Sequence, residues 1–238
     1  MEDKMVGFVG SGLGLSRVGS TKLDSSQCRS RVPRKLGRNG SWVRMSAETV
    51  LEEEVDPGVV EGTGLSIVKY PHPVLRRDNE EVTLFDDELA KLARNMFKVM
   101  YASKGVGLAA PQVAKNIRLM VFNAEGSEKA WLQETVLVNP KIVSTSEKMS
   151  TEPEACLSFP GMGGPVKRHH WIKVEAKTLK GKNFKMKFTD WKARIFQHEY
   201  DHLEGTVYID HLAKEHRAEV QPVLDGLIKA FDGDEPML

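Results

Sequence analysis

Apolar residues recur at helical spacing from Leu89 through Leu92, Ala93, Met96, Phe97 and Met100. These positions share one face of an α-helix, with Asp86 or Asp87 ahead of them as N-cap. GVGLAAPQV (105–113) is too rich in Gly and Pro to continue that helix. Period-two and β-branched runs then predict strands in RLMVFN (118–123), VLVNPKIV (136–143), WIKVEAKT (171–178) and FKMKF (184–188). SIVKY (66–70) reads as a short extended run stopped by Pro71 and Pro73. The turn LKGKN between the last two strands predicts a hairpin. Asp190 is placed to cap a second helix that runs to Leu203 and stops at Gly205. Val220, Val223, Leu224, Leu227, Ile228 and Phe231 predict a third helix, with Pro222 in its first turns. Strands in runs, not in strict alternation with helices, predict an α+β fold with antiparallel sheets around a central helix. No internal repeat is visible.

Composition changes this picture at the N-terminus. The first 45 residues hold nine Lys or Arg against the acids Glu2, Asp3 and Asp24, with frequent Ser and Gly and no apolar periodicity. Such a segment buries too little surface to offset chain entropy. Residues 1–46 are read as a transit peptide, and the acidic stretch 47–63 as a solvated linker. Residues 64–238 form the expected catalytic domain. The formal net charge of +1 gives no global argument for binding DNA. No window approaches the roughly 18 consecutive apolar residues of a membrane span. Cys28 and Cys156 are the two cysteines, too few for a disulfide framework.

The candidate chemistry lies in QHEYDHLEG (197–205). His198 and His202 are four apart on a helix and face one way, so both can bind one ion, and Glu199 beside them can reach a metal-bound water. Chance yields such a motif in roughly one or two percent of chains with this histidine content. A third ligand is needed. Tyr208 stands where one protease pattern would require histidine. Glu215 and Glu219 are open alternatives from a following helix. Cys156, in PEACLSFPG (153–161), is a soft ligand suited to zinc or ferrous iron. His72, His169, His170, His211 and His216 read as surface or packing residues.

GVGLAAPQ (105–112), EACLS (154–158) and QHEYDHLEG (197–205), in this order and spacing, resemble the peptide deformylases, most of all the plastid and bacterial iron-type enzymes. The resemblance implies a hydrolase that removes the N-formyl group from the initiator methionine of nascent polypeptides and releases formate. It implies Cys156, His198 and His202 as ligands of one divalent ion, Fe²⁺ first and Zn²⁺, Ni²⁺ or Co²⁺ as substitutes. Attack comes from a metal-bound hydroxide. Glu199 would serve as general acid and base, and by the same resemblance Gln112 with the Leu157 N–H would receive the developing oxyanion. Gly105, Val106, Gly107 and Ala155 would flank an extended substrate, with Val106, Trp191 and Ile195 around its methionine side chain. Glu154 and Arg168 would form an ion pair behind the ligands. Ala155 departs from the family's usual glycine and is expected either to strain the strand or to narrow the channel. GMGG (161–164) is expected to make a more flexible lip. Expected partners are N-formylmethionyl peptides and the ribosome exit region, with a monomer or dimer in the plastid, the mitochondrion being the alternative address. Two rival functions stay open: an HExxH metallopeptidase, and a catalytically weak binder of nascent chains.

Overall fold

The computed structural model describes Val6, Gly7, residues 55–233 and residues 236–237. The expected leader, with Cys28, lies outside the described residues except for Val6 and Gly7, as do residues 47–54 of the expected linker. Strands β1 (Val6–Gly7), β5 (Met149–Ala155) and β6 (Gly163–His169) form one sheet in the order β1-β5-β6. Strands β2 (Gly107–Ala109), β3 (Leu119–Phe122), β4 (Thr135–Thr145), β7 (Trp171–Lys177) and β8 (Asn183–Thr189) form the other, in the order β2-β3-β4-β7-β8. All pairings are antiparallel except that of β1 with β5. Helices α1 (Asp87–Ala102), α2 (Asp190–Leu203) and α3 (Lys214–Ala230) complete the α+β fold.

Local rules account for most of these elements. The Asp86 side chain accepts the Leu89 N–H at 2.9 Å and caps α1, whose buried face is Leu89, Ala93, Met96, Phe97, Val99 and Met100. In β7, buried Ile172, Val174 and Ala176 alternate with Lys173, Glu175 and Lys177. The β7–β8 hairpin joins at the expected turn.

Four sequence expectations are corrected. Residues 66–69 form no strand; Val68 and Tyr70 instead donate N–H bonds to the Gln112 and Ser158 carbonyls. Strands β5 and β6 were not legible, because Met149–Ala155 and Gly163–His169 carry almost no apolar alternation and set Pro153 opposite Pro165. Thr189 is the N-cap of α2, and Asp190 is its first residue, with φ of 52°. Pro222 lies in the middle of α3, where Val220 and Leu224 are the buried residues and Val223 is exposed.

Three buried clusters fill the interior. The first packs α1 on β2 and β3. The second packs one side of α2, through Ala193, Ile195, Phe196 and Leu203, on the five-stranded sheet. The third gathers Cys156, Phe159, Val166, Tyr208, Val220 and Leu224 beneath α3. Helix α2 lies between the second and third clusters, so its polar residues Arg194, Gln197, His198, Glu199 and His202 are enclosed rather than solvated.

Candidate metal centre

Cys156 follows directly on β5, while His198 and His202 project one turn apart from α2. All three are buried, and their ligand atoms lie within 4.8 Å of one another. Cys156 Sγ stands 3.3 Å from His202 Nε2. Ligands of a tetrahedral ion with bonds of roughly 2.0–2.3 Å stand about 3.4–3.7 Å apart, so the trio fits a single cation. Burial holds both imidazoles below their ordinary range, hence neutral and ready to ligate. Burial also pushes the Cys156 thiol up. A dication at this point would offset that penalty and take the thiolate. His202 Nδ1 and Glu199 Oε2 are buried with no hydrogen-bond partner among the described residues. The donor set, one sulfur and two nitrogens in an enclosed cleft, suits zinc or ferrous iron.

Behind the trio, Glu154 is 0% exposed and gathers three cations or donors. His198 Nδ1 lies 2.9 Å from its Oε2. Arg168 donates to both oxygens at 2.9 Å, and Arg194 donates to Oε1 at 2.8 Å. Burial alone would raise the Glu154 carboxyl, but the Arg168 charge and the bonds from His198 and Arg168 outweigh it and hold it well below the usual range. An ionised Glu154 fixes the proton on His198 Nδ1 and turns Nε2 toward the cleft. Arg168 also reaches Asp201 at 2.6 Å, and His211 stands 2.9 Å from the same carboxylate.

Glu199 is buried against Gly107, where an added Cβ would come within 2.4 Å of its Oε1. Burial first, then the charges of Glu154 and Asp201, push its carboxyl up. The Gln112 Oε1 accepts the Ala109 N–H at 2.8 Å, which turns its Nε2 toward Cys156 Sγ (3.5 Å) and Ser158 Oγ (3.4 Å). Leu157 is buried, and its carbonyl accepts Lys69 Nζ at 2.8 Å.

The structure thus brings together Cys156, His198, His202, Glu199, Gln112, Leu157, Glu154, Arg168 and Gly107. Gly105 and Val106 enter β2, the edge strand of its sheet. Ala155 ends β5, whose outer edge pairs Glu154 and Ala155 with Val6 and Gly7. Ala155 is not among the residues with positive φ, so strain is excluded, and its methyl faces Gly163 across the pair. Gly163 and Gly164 are not a loose lip: a Cβ at either would meet the Glu154 carbonyl at 2.8 Å or Leu212 at 2.7 Å. Ile195 is fully buried in the second cluster with Val106, and Trp191 packs against that cluster while its indole donates to the Ala124 carbonyl at 3.2 Å. All three serve the core.

Glu215 and Glu219 are exposed on α3, and Glu219 pairs with His216 at 3.2 Å. Tyr208 is instead an aromatic wall, its ring 6.2 Å from that of His198. His72 caps the 3-10 turn at Pro73–Arg76, His169 bonds the Ser146 carbonyl at 2.6 Å and His170 stands 3.4 Å from Asp190. Arg194 and Lys69 escaped sequence reading. A lone arginine between buried Ala193 and Ile195, four residues before His198, was the available signal for the first; none existed for Lys69.

An enclosed cysteine beside two imidazoles on a helix that also carries a buried glutamate defines a class, the mononuclear metallohydrolases of the HExxH type. A sequence profile of the polypeptide deformylase family matches residues 65–218. The chain belongs to that family. It is 44% identical over 217 residues to Arabidopsis thaliana peptide deformylase 1B, chloroplastic/mitochondrial, covering 91% of this chain and 75% of the relative. It is 40% identical over 149 residues to the peptide deformylase of Desulfotalea psychrophila, covering 63% and 88%. Among solved structures, it is similar to Arabidopsis thaliana peptide deformylase 1B bound to an inhibitor, with a TM-score of 0.67 at 43% identity, covering 69% of this chain and 90% of that one. The peptide deformylase of Plasmodium falciparum superposes with a TM-score of 0.68 at 42% identity, covering 71% and 100%.

Proposed function

We infer that this chain is a peptide deformylase, a metal-dependent hydrolase that removes the N-formyl group from the initiator methionine of nascent polypeptides and releases formate. The observation that carries the reading is the convergence of Cys156, His198 and His202 beside a Glu199 held against Gly107. When bound, a divalent ion supplies Lewis acidity and lowers the pKa of water towards neutrality.

The chain's own residues do the rest. Glu199 accepts the proton of the attacking water and later delivers it to the leaving amine, which departs only when protonated. Its raised carboxyl suits both tasks. As charge builds on the formyl oxygen, Gln112 Nε2 and the Leu157 N–H are the donors that receive it. Glu154 keeps His198 in one tautomer and one orientation. The open edge of β2 offers backbone groups beside the cleft, so an extended peptide binds there as an added strand. Backbone pairing tolerates varied residues after methionine.

Finer assignments complete the proposal. Fe²⁺ is the working ion, with zinc, nickel or cobalt able to replace it. The partners are formylated nascent chains near the ribosome exit. Residues 1–46 are a transit peptide and the address is the plastid, with the mitochondrion as the alternative, a reading supported by relatives named chloroplastic/mitochondrial, from Arabidopsis thaliana, and chloroplastic, from Solanum lycopersicum. The test is formate release from formyl-Met-Ala-Ser by anaerobically purified protein, with metal analysis of the same sample. Cys156→Ala should lose both metal and formate release. A variant that keeps a stoichiometric ion and full activity would overturn the assignment.

A further inference from the structure

We propose that Arg194 is a positioning residue of the metal centre, which sets the spacing between the strand bearing Cys156 and the helix bearing His198 and His202 before an ion arrives. The inference rests on reading those three residues as the ligands.

Arg194 lies four residues before His198, one turn back on the same side of α2. It is 2% exposed, so its charge is worth its desolvation cost only if its donors are satisfied. Its Nη1 donates to Glu154 Oε1 at 2.8 Å and to the Val166 carbonyl at 2.9 Å. Its Nη2 donates to the Ser150 carbonyl at 2.8 Å and to Ser150 Oγ at 2.9 Å. Its Nε lies 3.6 Å from Glu152. One planar fork thereby ties α2 to β5 at two points and to β6 at a third. The contact at Glu154 is two residues from Cys156 and shares its carboxylate with His198.

Arg168 grips the same carboxylate, but from β6, the neighbour of β5 in its own sheet. Arg194 is the cation that reaches Glu154 from the ligand-bearing helix itself. It also extends the tie up β5 to the carbonyl and hydroxyl of Ser150. A fork of this kind fixes distance and angle together, which a lysine ammonium cannot do. Preset spacing lowers the cost of assembling three ligands around an ion, so its loss should appear in metal affinity before it appears in fold.

The experiment compares wild-type protein with Arg194→Met and Arg194→Lys. Zn²⁺ affinity is measured by chelator competition well below each variant's melting temperature, and the visible spectrum is recorded with Co²⁺ bound. Arg194→Met should keep a native circular dichroism spectrum, bind Zn²⁺ on the order of 10–100-fold more weakly and shift the sulfur-to-cobalt and ligand-field bands. Unchanged affinity and unchanged bands overturn the inference. If Arg194→Met does not fold, Arg194→Lys decides. A lysine reaches Glu154 without making the fork, so weaker binding and shifted bands support the inference, and wild-type values on both readouts overturn it. Cys156→Ser is measured alongside. If that variant binds Zn²⁺ as the wild type does, the ligand reading itself fails. If it loses Zn²⁺ while Arg194→Met does not, only the positioning role fails.

Discussion

Glu199 shows how one residue sets stability against function. Its carboxyl is pushed above the ordinary carboxylate range, chiefly by burial. Above pH 4.5, the ordinary value, the unfolded chain ionises this group more readily than the folded one does, and folding is disfavoured. Glu199→Gln removes that cost. The variant should lose about 10²–10⁴-fold in kcat, as expected for a missing general base. In the metal-free form at neutral pH its melting temperature should rise by about 2–4 °C, on the order of 1 kcal/mol in a domain of this size. Calorimetry beside the formate assay checks both signs; a destabilised variant would contradict the account. Ala155 is the second residue with a clear expectation. Its φ is ordinary, so only its methyl group bears on the channel. Ala155→Gly should raise kcat/KM a few-fold with metal content unchanged, and an unchanged kcat/KM would remove Ala155 from the substrate path. His198, Glu199 and His202 were legible residue by residue because their types and spacing are rare, while Cys156 was one of several candidates for a third ligand. Arg194 was not legible, because its one signal, apolar neighbours at Ala193 and Ile195, is too weak to separate a buried arginine from a solvated one.

At the scale of elements, the site depends on how closely β2 approaches α2. Gly107 is the contact point, and the position opposite a Cβ there is already filled by the Glu199 carboxylate. Gly107→Ala should displace Glu199 and cut kcat by about 10²-fold or more. All three ligands are left in place, so metal content should stay at the wild-type level. Loss of metal together with activity would show that β2 supports the ligands instead. Helix α1 and strand β7 followed from capping and periodicity, because each buries one face and exposes the other, whereas α2 is enclosed from Ala193 to Glu199 and is capped at Thr189. Strands β5 and β6 did not, since their residues meet the core through isolated positions such as Glu154, Val166 and Arg168. Two of those three are charged, and a buried charge is invisible to a reading based on hydrophobic alternation.

The whole molecule couples metal, protons and folding. Binding to the folded form alone stabilises it by about 4 kcal/mol when the free ion is at 1,000 times its Kd, so chelation should lower the melting temperature by roughly 8–16 °C. A midpoint indifferent to chelation would argue against a bound ion. In the metal-free protein His198 and His202 are held below 6.5. As pH falls below that value, the unfolded chain takes up protons that the folded chain refuses, and stability falls. Glu199 opposes this trend down to pH 4.5. Two imidazoles oppose one carboxyl, so stability rises with pH, and Glu199→Gln should steepen that rise. Urea titrations of both proteins between about pH 5 and 6 measure the two slopes. Equal slopes would mean that Glu199 does not titrate abnormally.

What the amino-acid order determined alone was local: the α2 helix with its two histidines and glutamate, the α1 face, the hairpin, and the soft cysteine as one of several possible third ligands. These follow from side-chain periodicity and donor chemistry, which act over a few residues. The tertiary structure decided which third group meets the histidines, which cations hold Glu154, and which backbone presses on Glu199. Those contacts join residues from 14 to about 90 positions apart. Only the packing of α2 between two clusters, with water excluded and every buried charge in need of a partner, selects them.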